Sequence, residues 1–201
     1  IAPVIQHVEM GRDQAHGCGD LTNAAILSRL MQSQNTKVDP VTGTVSTAAN
    51  AVDCYAFLND RLVKGADFFF RYMLGYDVDW EMAPYAIDED GIVKDAYESF
   101  ASPYRGRYST INFWDFYTYY RYTRGMTPQQ IKAAYPFFYD GYAQKTYTTW
   151  DNKDGGGDFW LFLPKEAQGD TSFIPNTSPA GILEIEHRGN VVSGRATGSV
   201  Q

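Results

Sequence analysis

Residues Val8 to Gln34 read VEMGRDQAHGCGDLTNAAILSRLMQSQ, and two signals meet in them. From about Ala15 to Gln34, Leu21, Ala24, Ala25, Leu27, Leu30 and Met31 recur three to four residues apart, which predicts a core helix with a broad apolar face. Ahead of it, Glu9, Arg12, Asp13, Gln14, His16 and Asp20 are crowded together with Gly11, Gly17 and Gly19. Residues four apart share a helical face, so Arg12 and His16 project together and Glu9 reaches the same side one turn earlier. One reading is a solvated helix start, with a Glu9–Arg12 surface pair and His16 bonded to the backbone. The other is a chemical unit. The glycines favour the second, because glycine is costly inside a helix and tolerated where backbone turns sharply or approaches a ligand.

Working outward, NTKVDPVTGTVS reads as a loop through Pro40 and Gly43. Ser46 or Thr47 then caps a second helix, in which Ala51, Tyr55, Leu58, Leu62, Phe69 and Tyr72 recur at helical spacing until Gly75. From Tyr76 to Arg107 the periodicity fails around Pro84 and Gly91, which predicts a long surface excursion. A third helix runs from Ser109 to Arg124 with Gly125 as its stop. Thr127-Pro128-Gln129-Gln130 supplies an N-cap, a first-turn proline and a capping-box glutamine for a fourth, which Pro136 splits. After DNKDGGGDF the character changes, and Ile182 to Glu186 alternate as a strand would. The expected fold is mainly α, built of antiparallel helix pairs with a short β-like C-terminal tail, divided into a helical domain over 1–164 and a tail over 165–201.

The chain has 201 residues, enough for a core of its own, and a formal net charge of -7. That charge argues against nucleic acid, whose binders carry basic patches that replace phosphate counterions. An acidic polysaccharide remains open if arginines are gathered locally. No apolar run is long enough to span a membrane. Aromatic residues make up 15% of the chain, a share that suits a core and equally a wall on which sugar rings stack. Cys18 and Cys54 form either one disulfide or two separate thiols. Asn176-Thr177-Ser178 matches a glycosylation acceptor. DEDG and DNKDGGGD lack the alternating carboxylates of a calcium loop and read as turns.

A second constellation is NFWDFYTYYRYTRG, Asn112 to Gly125. On a regular helix Tyr117, Tyr120 and Arg121 share one stripe, and Tyr120 and Arg124 are four apart. A tyrosine beside two arginines has its phenolate favoured, as proton exchange requires. Phe113, Trp114 and Phe116 read first as core.

The segments QHVEMGRDQAH, NDRLVKGADFFFRYMLGYDV and FYTYYRYTRG resemble the alginate lyase-like family of polysaccharide lyases, over roughly Gln6 to Leu163. The first matches an E-x-G-R-D-Q-x-H block, the second an N-R-L-L-K-G-like segment, the third a Y-N-H-Y-like segment before a basic residue and glycine. The resemblance implies an incomplete (α/α) toroid that cleaves uronate-containing polysaccharides by β-elimination, without a cofactor or metal, in a secreted or periplasmic setting. Thr118 and Tyr119 stand where such proteins carry Asn and His. The chain resembles the C-terminal half of the family's domain, so a preceding half or a second chain is an expected partner.

Elimination needs a cation or amide against the uronate carboxylate, a base for the C5 proton and an acid for the O4 leaving group. On this reading His16 is the base or carboxylate neutraliser, and Arg12 and Gln14 take the carboxylate. Tyr120, with Tyr117 in reserve, transfers the proton under the influence of Arg121 or Arg124. Tyr119 and Trp114 contact the sugar, and Glu9 and Asp13 orient Arg12 and His16. Two other classes stay open. A glycoside hydrolase would use two of Glu9, Asp13 and Asp115, and a non-catalytic sugar-binding domain would keep the aromatic groove alone.

Overall fold

The computed structural model describes residues 5–101, 114–143, 181–188 and 191–197. The described chain is mainly helical. A 3-10 turn, Val8–Gly11, leads into α1 (Gln14–Ser33), capped by Asp13. A second 3-10 turn at Cys54–Ala56 precedes α2 (Phe57–Met73). Strands β1 (Ala83–Ile87) and β2 (Val93–Tyr97) form an antiparallel hairpin. Then come α3 (Trp114–Thr118), a π turn (Tyr119–Thr123), α4 (Pro128–Ala134) and α5 (Pro136–Ala143). Strands β3 (Gly181–Arg188) and β4 (Val191–Thr197) pair antiparallel with each other, as the alternating tail predicts.

Contacts between helices fix their directions. Gln14 at the start of α1 reaches Met73 at the end of α2, and Tyr55 just before α2 donates to the Ala25 carbonyl midway along α1. These two helices are therefore antiparallel. In the second pair Phe116 meets Phe138 and Tyr120 meets Tyr135, so α3 with its π turn runs antiparallel to α5 with its preceding α4. Across the pairs, Asp60, Asp67 and Phe70 meet Tyr135, Phe137 and Gly141 in that order, so α2 and α5 run in the same sense. Arg29 and Gln32 meet Asp115 and Thr123, giving α1 and α3 a common sense as well.

The buried cluster joins all these helices through Met10, Leu21, Tyr55, Phe69, Phe70, Phe116, Tyr120, Ile131 and Phe138. Each such side chain contributes about 1.5–3 kcal/mol of transfer free energy. Phe70 is seated against Gly141, where a methyl group would collide with its ring.

Four expectations change. First, the buried face of α1 is Gln14, Gly17, Cys18, Leu21, Thr22, Ala25 and Ser28, while Leu27 is 61% and Leu30 45% exposed. Small side chains let α1 pack closely, as at Gly17, where a Cβ would lie 3.0 Å from Met10 Cα. Second, α2 starts at Phe57 rather than near Thr47. The Ser46 hydroxyl accepts from Ala48 N–H at 3.2 Å and makes a local turn instead of a cap, and Val38 bridges both Val45 and Val52.

Third, the excursion after Tyr76 contains the β1–β2 hairpin. Gly91 turns it at φ 81°, and the Asp88 carboxylate accepts from Asp90 and Ile92 N–H. Fourth, the third helix turns into a π turn after Thr118, and residues 109–113 of that expectation lie outside the described residues. The capping box at Thr127 forms with both of its bonds, and Pro136 divides α4 from α5 as predicted. The proposed boundary at 164, DNKDGGGD, Phe113 and Asn176 also lie outside the described residues.

Candidate functional site

At the head of α1 the cap is also the centre of a charged group. Asp13 is extended, and its carboxylate accepts from His16 N–H at 2.8 Å, closing the first turn. The other oxygen lies 2.7 Å from His16 Nδ1. An ionised Asp13 can only accept there, so Nδ1 carries the hydrogen and the Nε2 lone pair is left on a ring that is 47% exposed. Partial burial pulls the Asp13 carboxyl upward. The backbone N–H, ring and charge of His16, with Arg12, outweigh it and hold the group below its ordinary range. Arg12 Nη1 lies 3.3 Å from Glu9 Oε2 and Nε 3.8 Å from Asp13 Oδ2. Glu9, Arg12, Asp13 and His16 thus form one surface group, with Glu9 touching Arg12 and Asp13 touching both Arg12 and His16.

Gln14 does not join them. Its amide donates to Met73 Sδ at 3.1 Å and it is 3% exposed, because the first residue of α1 falls on the helix's buried face. Gly11 and Gly17, too, serve packing. A Cβ on Gly11 would run into Tyr97 Cβ and lie 3.0 Å from Trp80 Cζ2, so this glycine admits the β1–β2 hairpin beside Arg12. Gly19 faces open space.

The tyrosine stripe is elsewhere. Arg29 and Gln32, its contacts on α1, lie about 20 Å along the axis from His16. Tyr120 is fully buried and donates to the Tyr55 carbonyl at 3.2 Å. Burial pushes its phenol far above the ordinary value, Asp60 and Tyr135 push the same way, and Arg124, 5.5 Å above the ring, does not compensate. The expected cation-favoured phenolate is therefore corrected: burial, joined by the Asp60 carboxylate, outweighs the guanidinium. Tyr119 stacks on Tyr55 at 4.3 Å and donates to Asp53, and burial raises it as well. Tyr117 is 1% exposed and sits 6.4 Å from the Tyr139 ring. Arg121 donates to the Met126 carbonyl and lies over Tyr122. Trp114 is the first residue of α3.

Arg124 belongs to a network that sequence reading missed. Its Nη1 is 2.6 Å from Asp60 Oδ1, and Tyr135 donates to Asp60 Oδ2 at 2.8 Å. Asp60 is held there by backbone of unusual hand: Leu58, Asn59 and Asp60 have φ of 47°, 55° and 63°. Left-handed conformation costs about 1–2 kcal/mol per residue for most side chains, and Asn and Asp bear it best. The Asn59-Asp60 pair at a helix head was the available signal. Next to this network a cleft of about 370 Å3 is lined by Arg29, Gln32, Tyr55, Asp115, Thr118 and Tyr119. Arg29 Nη1 and Asp115 pair across it at 2.9 Å.

Cys18 and Cys54 are separate thiols. Cys54 points at Met31 Sδ, and burial followed by the Asp53 charge raises it. Among the described residues no helix is long and apolar enough to cross a membrane. Comparison with protein families, curated proteins and solved structures finds no match to this chain.

Proposed function

We propose that the chain is a polysaccharide lyase that cleaves a uronate-containing polymer by β-elimination. The observation that carries this reading is the Asp13–His16 contact at 2.7 Å with Arg12 beside it. In this reading Arg12 neutralises the uronate carboxylate, which acidifies the C5 hydrogen. His16 Nε2 then accepts that proton while Asp13 stabilises the imidazolium. Electrons from the C–H bond form the C4–C5 double bond as the C4–O4 bond breaks, and the O4 oxygen leaves with a proton. Water supplies that proton, since burial and Asp60 make Tyr120 an unsuitable exchanger.

Two features support an arc of an (α/α) toroid. Helix pairs α1–α2 and α3–α5 are antiparallel internally and repeat in the same sense side by side. Ile26, Leu27 and Leu30 leave an apolar stripe on α1 that suits a helix from a preceding half or a second chain.

The test is the ultraviolet absorbance of the unsaturated product when the chain is mixed with alginate or glucuronan, beside a His16→Ala variant. A rise lost in the variant is expected, and a rise that persists would remove His16 from the mechanism. A non-catalytic sugar-binding domain is the second reading, favoured by the buried, raised phenols of Tyr119 and Tyr120. Hydrolysis by paired carboxylates has less support: Asp115 is taken by Arg29 at a distance from the α1 head, and Asp13 is lowered rather than raised.

A further inference from the structure

The charge of this chain is concentrated in one place. Between Asp77 and Glu98 lie eight acidic residues (Asp77, Asp79, Glu81, Asp88, Glu89, Asp90, Asp95 and Glu98) and one lysine, Lys94, a net charge of -7. The whole chain has the same net charge, so everything outside this segment balances to zero. The segment is the β1–β2 hairpin with its flanks, and it is docked on the candidate site. Tyr97 packs on Gly11, the residue before Arg12, and Gln6 bonds the Glu81 backbone in both directions. Tyr85 stacks on Tyr97 at 4.3 Å and 29°, its hydroxyl bonds Asp95, and it is 47% exposed. An open ring face backed by a second ring is the surface on which the apolar side of a sugar lies.

A polymer with a carboxylate on every sugar, reaching from Arg12 along this hairpin, would set its charges against Asp95, Glu98 and the tip at Glu89–Asp90, beside an Asp88 that Lys94 pairs at 2.8 Å. Like charges repel each other even in water, and the effect extends over about 8 Å at physiological salt. The tip lies about 20 Å from Tyr97 along the strand, so a chain of several sugars meets the whole array. A sugar without charge next to the reacting uronate avoids the first of these contacts and keeps the stacking.

Resting on the lyase reading above, we propose that the β1–β2 hairpin is the neighbouring subsite and that Tyr85 takes an uncharged sugar ring. The preferred substrate is then a polymer in which uronate alternates with an uncharged sugar, and not a continuous polyuronate. The hairpin is a selectivity device, repelling one class of acidic polymer while stacking the other.

The test compares elimination on alginate, where every sugar is a uronate, and on hyaluronan, where uronate alternates with an N-acetylated amino sugar. The proteins are the unaltered chain, Tyr85→Ala, and the triple variant Asp88→Asn, Glu89→Gln, Asp90→Asn. The expected result is a higher kcat/KM on hyaluronan. Tyr85→Ala raises KM there by about two- to tenfold with kcat retained, the range of a lost ring contact. The triple variant improves alginate and leaves hyaluronan nearly unchanged. Equal or better turnover of alginate by the unaltered chain, or a Tyr85→Ala KM equal to it, overturns the proposal while leaving the lyase reading intact.

Absence of elimination on every polymer overturns the lyase reading instead, and retardation in gels containing the same polymers then decides the subsite. Retardation by hyaluronan and not alginate, lost in Tyr85→Ala, sustains it. Equal retardation, or none, overturns it. Circular dichroism of each variant separates these outcomes from a failure to fold.

Discussion

Replacing Asp60 by Asn tests the network that ties α2 to the second helix pair. Asn tolerates the left-handed backbone at φ 63°, so the substitution removes the charge and leaves the turn. The carboxylate accepts from Arg124 at 2.6 Å and Tyr135 at 2.8 Å, and its side chain is 12% exposed. Removing one member of a fully buried pair costs about 3–5 kcal/mol. Arg124 is 40% exposed, so water takes over part of its solvation and about 2–3 kcal/mol is expected.

Tyr135→Phe removes one hydrogen bond to a charged acceptor, about 1.5–3 kcal/mol. Because Asp60→Asn weakens the contact that Tyr135→Phe deletes, the double variant falls short of their sum by about 1 kcal/mol or more. Urea unfolding monitored by tryptophan fluorescence reads all three, with an unchanged m-value. A loss within about 0.5 kcal/mol for Asp60→Asn, or strict additivity, would refute the network as a stabilising element.

Gly11→Ala forces Tyr97 and Trp80 to move and is expected to cost about 1–3 kcal/mol, seen as a lower melting temperature. An unchanged value means that the hairpin is not seated on Gly11. Thr127→Ala removes half of the capping box, for a loss of about 1 kcal/mol by denaturant titration. The third concerns pH. The folded Asp13 carboxyl is lowered, so its contribution is present above the unfolded value and is lost as pH falls through the folded one. His7 is lowered chiefly by burial, so stability also falls as pH drops below about 6.5 toward its folded value. Asp13→Asn flattens the more acidic part of the stability profile and His7→Gln the upper part, whereas parallel profiles would contradict both assignments.

How much was legible depended on whether the signal was local. The capping box at Thr127, the split at Pro136 and the stops at Gly75 and Gly125 are set by backbone chemistry within a few residues, and they emerged as read. So did the grouping of Glu9, Arg12, Asp13 and His16, which lie within two helical turns of one another. The face of α1 was harder. Its apolar residues predict one side, but the tight packing that Gly17, Ala25 and Ser28 permit selects another, and only the partner helix decides that. Spacing pairs Tyr120 with Arg124, yet the burial that raises Tyr120 is tertiary, and the carboxylate that meets both arrives from Asp60, more than fifty residues away. The hairpin hid behind Pro84, whose place on a two-stranded ribbon a sequence pattern does not reveal.

The reversed turn at Leu58-Asn59-Asp60 also bears on how this sequence can drift. Most side chains at Asn59 would add strain, leaving glycine and aspartate as the easy neighbours by mutation, while Asp60 is constrained twice over, by its backbone and by its two partners. A single-residue insertion or deletion there would rotate the start of α2 by about 100° and turn its buried face toward water. Diverging descendants of this chain should therefore accept length changes in the Val38 to Val52 loop and keep the count constant from Phe57 to Asp60.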